Sequence, residues 1–123
     1  MKKALFILGH GSQADEANEI FSDIVEMVMN ITDFEEVGMG SLQISKPSFQ
    51  EGIEELINNG AEQIVIVPMF IYKGNHVKYD IPEELSKLKE SYPHVEFIMA
   101  KHIGADARLA AIIEERAKEA VGA

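Results

Sequence analysis

Lys3-Ala4-Leu5-Phe6-Ile7-Leu8-Gly9-His10-Gly11-Ser12 decides how this chain is read. Five apolar residues in succession form a short strand buried on both faces, and two glycines around a histidine then break it. From about Ala14 to Asn30 the apolar period changes to that of a helix, with Ala17, Ile20, Phe21, Ile24 and Val28 on one face. One β–α unit is therefore written in the first thirty residues, with a glycine-rich turn at its bend.

The same alternation continues to the end of the chain. A weaker strand from about Glu36 to Ile44 precedes a helix that Pro47 opens and Gly60 stops, with Phe49, Ile53, Leu56 and Ile57 inward. Gln63 to Phe70 is apolar without alternation, as expected of a central strand covered on both faces. Pro68 cannot donate to a ladder and belongs at that strand's end or at a bulge. Asp80-Ile81-Pro82 reads as a helix start, followed by Leu85, Leu88 and Tyr92 at helical spacing until Pro93. Val95 to Met99 makes a fourth strand, and Asp106 caps a last helix whose Leu109, Ile112, Ile113 and Ala120 face inward. Four consecutive β–α units with short connections give an α/β three-layer sandwich around a four-stranded parallel sheet, and the favoured order is 2-1-3-4. Residues 1–123 form a single domain, and its crevice opens at the carboxyl ends of strands one and three.

Composition narrows the function. Eleven Lys and Arg against 21 Asp and Glu give a net charge of −10, which disfavours nucleic acid and anionic membrane as partners. The acidic excess is concentrated in residues 1–61 (3 basic, 11 acidic), leaving the second half nearly balanced at 8 and 10 and able to host an anion. The longest apolar run, Ile64 to Tyr72, spans nine residues and includes Pro68, against about 20 for a membrane span. Lys2 and Lys3 precede an apolar run that is short for a secretion signal and meets Gly9 rather than a cleavage site, so a cytoplasmic protein is expected. With no cysteine, any metal meets nitrogen or oxygen.

The two loops flanking the crevice each carry a histidine, His10 and His76. Neutral imidazole ligates borderline metals and accepts protons near neutral pH, so a pair in one crevice suits transient metal handling better than storage. Gly9-His10-Gly11-Ser12 lacks the pattern of a phosphate loop or a nucleophile elbow, and its plainest role is a tight turn with Ser12 capping the helix. Asp80 is most simply a helix cap, His94 is solvated, and His102 is a distant third candidate. Lys46, Lys73, Lys78 and Lys101 fall on the crevice rim, where they can hold a polycarboxylate.

Taken in order, several further motifs give a resemblance. They are Pro47 at the second helix, Val67-Pro68-Met69-Phe70 leading through Gly74-x-His76 to Asp80-Ile81-Pro82, and Ile103-Gly104-Ala105-Asp106. With the Gly9–Ser12 loop, the sequence resembles, almost end to end, the small class II sirohydrochlorin cobalt- or nickel-chelatases. The resemblance implies an ATP-independent enzyme inserting Co2+ or Ni2+ into sirohydrochlorin in cobalamin or nickel-tetrapyrrole biosynthesis, working as a homodimer without a permanently bound cofactor. It makes His10 and His76 metal ligands and catalytic proton acceptors, with Gly11, Ser12, Gln43, Lys73, Gly74, Asn75 and Lys78 against the macrocycle. Such chelatases usually place an acidic residue where this chain has Gln43, and a neutral amide is no base at physiological pH. That departure motivates an alternative, a noncatalytic tetrapyrrole- or metal-binding protein derived from a chelatase. A third reading is an α/β module that binds a small anion at the switch point.

Overall fold

A computed structural model describes residues 1–72 and 74–122, and of His76 the backbone alone. The elements run β1 (Lys3–Gly9), α1 (Asp15–Met29), β2 (Glu36–Ser41), α2 (Phe49–Asn58), β3 (Gln63–Pro68), α3 (Asn75–Ser91), β4 (Glu96–Met99) and α4 (Ala107–Ala120). All neighbours pair in parallel, in the order β2-β1-β3-β4. Leu5 stands between Val37 and Val65, and Gly9 ends opposite Ser41. The expected architecture and strand order are those observed. Among the described residues no helix is long and apolar enough to cross a membrane.

The two faces of the sheet are packed unequally. On one, Phe6, Leu8, Ile64 and Ile66 meet Ile53 and Leu56 of α2 and Ile81, Leu85 and Leu88 of α3 in a continuous core. Phe6 and Phe49 stack there with ring centroids 5.5 Å apart. Each fully buried aliphatic or aromatic side chain of this kind contributes about 1.5–3 kcal/mol. On the other face a smaller cluster joins Leu5 and Ile7 to Phe21 and Val25 of α1.

Several sequence expectations need correction on that second face. Ala17 and Ile20 are exposed rather than inward, because the buried stripe of α1 runs through Phe21 and Val25. Helix α4 has no buried residue at all, and its Ile113 is 71% exposed. Val65 and Val67 of β3 are accordingly only half-buried, so the strand is covered fully on one face. An amphipathic pattern reports that a helix has an apolar side, not that the same chain covers it.

Boundaries moved where local chemistry outweighed proline. Pro47 precedes α2 instead of opening it: the cap is Ser48, whose hydroxyl accepts from the Glu51 amide at 3.1 Å while the Glu51 carboxylate accepts from the Ser48 amide at 2.8 Å. The far end closes as expected, with Gly60 at φ +100 and the amides of Gly60 and Ala61 donating to Ile57 and Leu56 carbonyls. Helix α3 starts at Asn75, so Asp80 lies inside it and does not cap it, and Pro82 is an interior residue. Val77, buried four residues before Ile81, prolongs the apolar stripe by one turn and draws the earlier segment into the helix. Strand β2 stops at Ser41, three residues short of expectation. Pro68 ends β3, two residues beyond the last β3–β4 pair, Ile66 with Met99, so its missing N–H costs no ladder bond.

The capping box makes stability depend on acid pH. Hydrogen bonds from the Ser48 amide and from Lys46 hold the Glu51 carboxyl below its ordinary range. A group depressed in the folded state stabilises above its unfolded pKa, and that contribution is lost as pH falls through the folded value. Glu51→Gln should therefore lower the urea midpoint at pH 7, and the difference from the parent protein should shrink steadily through the acid range.

Candidate functional site

The site is assembled by hydrogen bonds that continue the sheet past its last strand residues. Leu42 N–H donates to Gly9 O at 3.0 Å and Met69 N–H to Leu8 O at 2.8 Å. On the other side Ile103 N–H reaches Pro68 O at 3.3 Å and Gly104 N–H reaches Phe70 O at 3.1 Å. Four loops from separate parts of the chain are thus laced side by side at the carboxyl edge. Parallel strands with their helices alternating in face put this crevice at the switch between β1 and β3.

His10 is the first residue beyond β1. Its exposed imidazole stands edge-on to the ring of buried Phe70, with centroids 5.5 Å apart and planes at 67°. Two cavities meet at His10 and Met69. The smaller, about 180 Å³, lies towards Gly11, Ser12, Asn18, Phe21 and buried Ser41. The larger, about 510 Å³, has mainly apolar walls from Ile24, Phe70, Ile71, Tyr72, Ile103 and Leu109. Ile103 and Leu109 lead on to a third hollow of about 370 Å³ bearing Lys101, His102, Asp106 and Arg108. An imidazole is therefore held at the margin of an apolar cleft with a cationic far end, which suits a flat apolar ligand with ionised substituents.

The other expected site residues divide. Gly11 has φ +99 and packs so closely on the next loop that a Cβ there would lie 1.7 Å from Gln43 O, which places Gln43 beside the histidine loop. The Gln43 side chain is exposed. Ser12 does not cap α1: Ala14 holds the cap position, and the Ser12 hydroxyl accepts from the Ala14 amide at 3.0 Å. Gly74 is the residue before α3, and Asn75 and exposed Lys78 lie in its first turn. His76 is the second residue of α3, not a loop residue, and its side chain lies outside the described residues, as does the whole of Lys73. Among the rim lysines, Lys46 pairs with Glu51 at 3.3 Å, and Lys101 lines the third hollow. His102 shares that hollow, separate from His10, while His94 is exposed beside Tyr92. Among the described residues no three His, Cys, Asp or Glu side chains gather to hold a metal.

Asp106 caps α4 as expected, accepting from the Arg108 amide at 2.9 Å. Two further bonds of 2.8 Å from the Arg108 guanidinium hold its carboxyl well below the usual carboxylate range. Phe70, Asn18, Ser45 and Arg108 were not anticipated as parts of the site. Phe70 was legible as a strand residue and as part of the Val67–Phe70 motif but not as the neighbour of His10, and Asn18 and Ser45 sit 27 residues apart with no motif to join them.

A sheet in the order β2-β1-β3-β4 with a histidine turn after its first strand and an apolar cleft beside it defines a chelatase-like α/β domain. The CbiX family model matches residues 4–120, and the chain belongs to the CbiX family. It is 32% identical to a sirohydrochlorin cobaltochelatase of Methanopyrus kandleri over 97% of both chains. Similarity to a sirohydrochlorin ferrochelatase of Priestia megaterium is 33% over 94% of this chain but only 44% of the relative. The sirohydrochlorin chelatase SirB of Bacillus subtilis subspecies spizizenii, solved in complex with cobalt, superposes with a TM-score of 0.91 at 28% identity. That match covers 97% of this chain and 51% of SirB. A cobalamin-biosynthesis CbiX protein of Marinobacter aquaeolei, described as putative, shares the fold over 98% of both chains, with a TM-score of 0.82 at 24% identity.

Gly11→Ala combines a left-handed backbone with a collision against Gln43 O. It should cost about 1–3 kcal/mol or more in urea unfolding, with backbone shifts in heteronuclear NMR centred on residues 9–12 and 42–45.

Proposed function

We propose that this protein inserts a divalent metal ion, cobalt foremost, into sirohydrochlorin. The observation that carries the reading is the placement of the His10 imidazole at the meeting point of two cavities, one of them apolar and about 510 Å³, in a member of the CbiX family. Several full-length relatives bear the name sirohydrochlorin cobaltochelatase, which favours cobalt. Nickel is the second metal on this reading, and the product feeds cobalamin or nickel-tetrapyrrole synthesis in the cytoplasm.

In this mechanism the macrocycle lies against Phe70, Ile103 and Leu109 with its carboxylates towards Lys101, Lys78 and the cationic hollow. Insertion replaces two pyrrole N–H protons by one metal ion, and the incoming ion must shed water as it enters. His10 and His76 supply nitrogen ligands to the arriving ion and, as it passes into the ring, the nitrogens it vacates accept the two protons, so neither a resident metal nor ATP is required. Gly11, Ser12, Gln43, Gly74, Asn75 and Lys73 flank the ring. The Gln43 amide neither gains nor loses a proton near neutral pH, which throws the acid–base work onto the two imidazoles.

The working form is a homodimer. Ile20 and Met27 of α1, Ile98 and Met99 of β4, and Ile112 and Ile113 of α4 are all exposed, and a second copy of the chain would cover them. Ile112→Glu with Ile113→Glu should convert the sedimenting species from dimer to monomer. A parent protein that sediments as a monomer at micromolar concentration refutes the assignment.

Anaerobic spectrophotometry with sirohydrochlorin and Co2+ tests the activity. His10→Ala and His76→Ala should each slow the change from free-base to metallated spectrum by about 10²-fold or more, as expected for loss of a positioned acid–base group. Parent protein that binds the macrocycle without accelerating insertion would establish the noncatalytic alternative that Gln43 suggests.

A further inference from the structure

The His10 loop is held from outside by a residue 33 positions away. Ser45 Oγ accepts a hydrogen bond from Ser12 N–H at 2.7 Å and stands 2.7 Å from Ser12 O and 2.8 Å from Asn18 Oδ1. Asn18 Nδ2 in turn donates to Ser12 O at 3.2 Å. The hydroxyl has one proton for Ser12 O and Asn18 Oδ1, and with Asn18 N–H also on Ser12 O the three residues close a ring in which both Ser12 N–H and Ser12 O are bonded whichever oxygen takes it. All three residues are half-buried, so these bonds face limited competition from water.

The segment that delivers Ser45 is strained. Ile44 has φ +67, and Ser45 N–H donates to Gln43 O at 2.7 Å across it. An i to i+2 hydrogen bond around a residue of positive φ is the rarer, costlier form of γ-turn, and a β-branched residue is poorly suited to it. Strain of this kind persists only where the surroundings over-determine it. The turn is pinned on one side by Leu42 N–H on Gly9 O and on the other by the Ser45 ring, and between those two anchors lies His10.

We propose that Ser45 and Asn18 are positioning residues that lock the peptide groups of Ser12 and thereby hold His10 at the cleft. The catalytic consequence rests on the chelatase reading, whereas the clamp itself rests on the hydrogen bonds alone. Among the described residues the exposed His10 imidazole has no side-chain hydrogen-bond partner, and its backbone and the Phe70 ring set its direction there. Freeing the loop should therefore affect the reacting geometry more than macrocycle affinity.

The test compares the parent protein with Ser45→Ala, Ser45→Thr and Asn18→Ala, using sirohydrochlorin and Co2+ under anaerobic conditions together with amide hydrogen exchange. For Ser45→Ala the expected result is a kcat reduced on the order of tenfold to a hundredfold with KM for the macrocycle unchanged, as for a displaced catalytic group. Its Ser12 amide should exchange at least about tenfold faster, with strand amides 4–8 as protected as before. Ser45→Thr keeps the hydroxyl and should restore both, and Asn18→Ala should fall between. Unchanged Ser12 exchange in Ser45→Ala overturns the clamp. A loss of kcat matched by deprotection of β1 overturns the positioning role and leaves a structural one. If the parent protein itself inserts no metal, the chelatase reading fails, and Ser12 exchange alone then decides whether the clamp exists.

Discussion

Lateral hydrogen bonding at the carboxyl ends of β1 and β3 is the constraint on which the site depends. A parallel ladder aligns its strands in one direction, so their following loops emerge together, and backbone bonds between neighbouring loops then need only continue the register. Leu42 to Gly9, Met69 to Leu8 and Ile103 to Pro68 do this across all four strands. His10 and Phe70 meet because β1 and β3 are adjacent, Leu8 opposite Pro68, and their loops begin level with one another. No single loop would hold an imidazole at the margin of a cleft of this size.

Unequal packing on the two faces gives the molecule a built side and an open side. Helices α2 and α3 bury a continuous core with the inner strands, reinforced by the capping box at Ser48 and the Tyr92 hydroxyl, which donates to Glu54 at 2.6 Å. Across the sheet, Phe21 and Val25 are the buried residues of α1, with Val28 packed beside them, and α4 has no fully buried residue. The cleft lies on this open side, between Ile24 of α1 and Leu109 of α4. Surface that a folded chain leaves apolar and accessible is where a flat macrocycle and a second subunit both find their contacts.

Much of this was readable beforehand, and the failures share a cause. The four β–α units, their parallel order, the stop at Gly60 and the cap at Asp106 all follow from periodicity and from residues whose backbone preferences are strong, whereas β3 ends at Pro68, two residues before the apolar run does. Proline is the weaker signal at two helices: Pro47 and Pro82 both suit a first turn, but Ser48 offers a better cap and Val77 an additional turn of burial. Inward faces were misjudged on α1 and α4, since a sequence shows which side of a helix is apolar without showing whether the sheet beneath extends far enough to cover it. Ser45 and Asn18 left no local mark, because a hydrogen-bonded ring closed by residues far apart in the chain has no spacing to recognise.

By itself the sequence determined the architecture, the histidine turn after the first strand and the exclusion of cysteine chemistry, because these depend on side-chain pattern and backbone preference over short stretches. Tertiary structure alone decided that His10 stands against Phe70 between two cavities, that Gly11 must be glycine to lie on Gln43, and that a strained turn at Ile44 carries a hydroxyl to the histidine loop. Those are contacts between segments brought together by the register of the sheet, and register is a property of paired strands that neither strand contains alone.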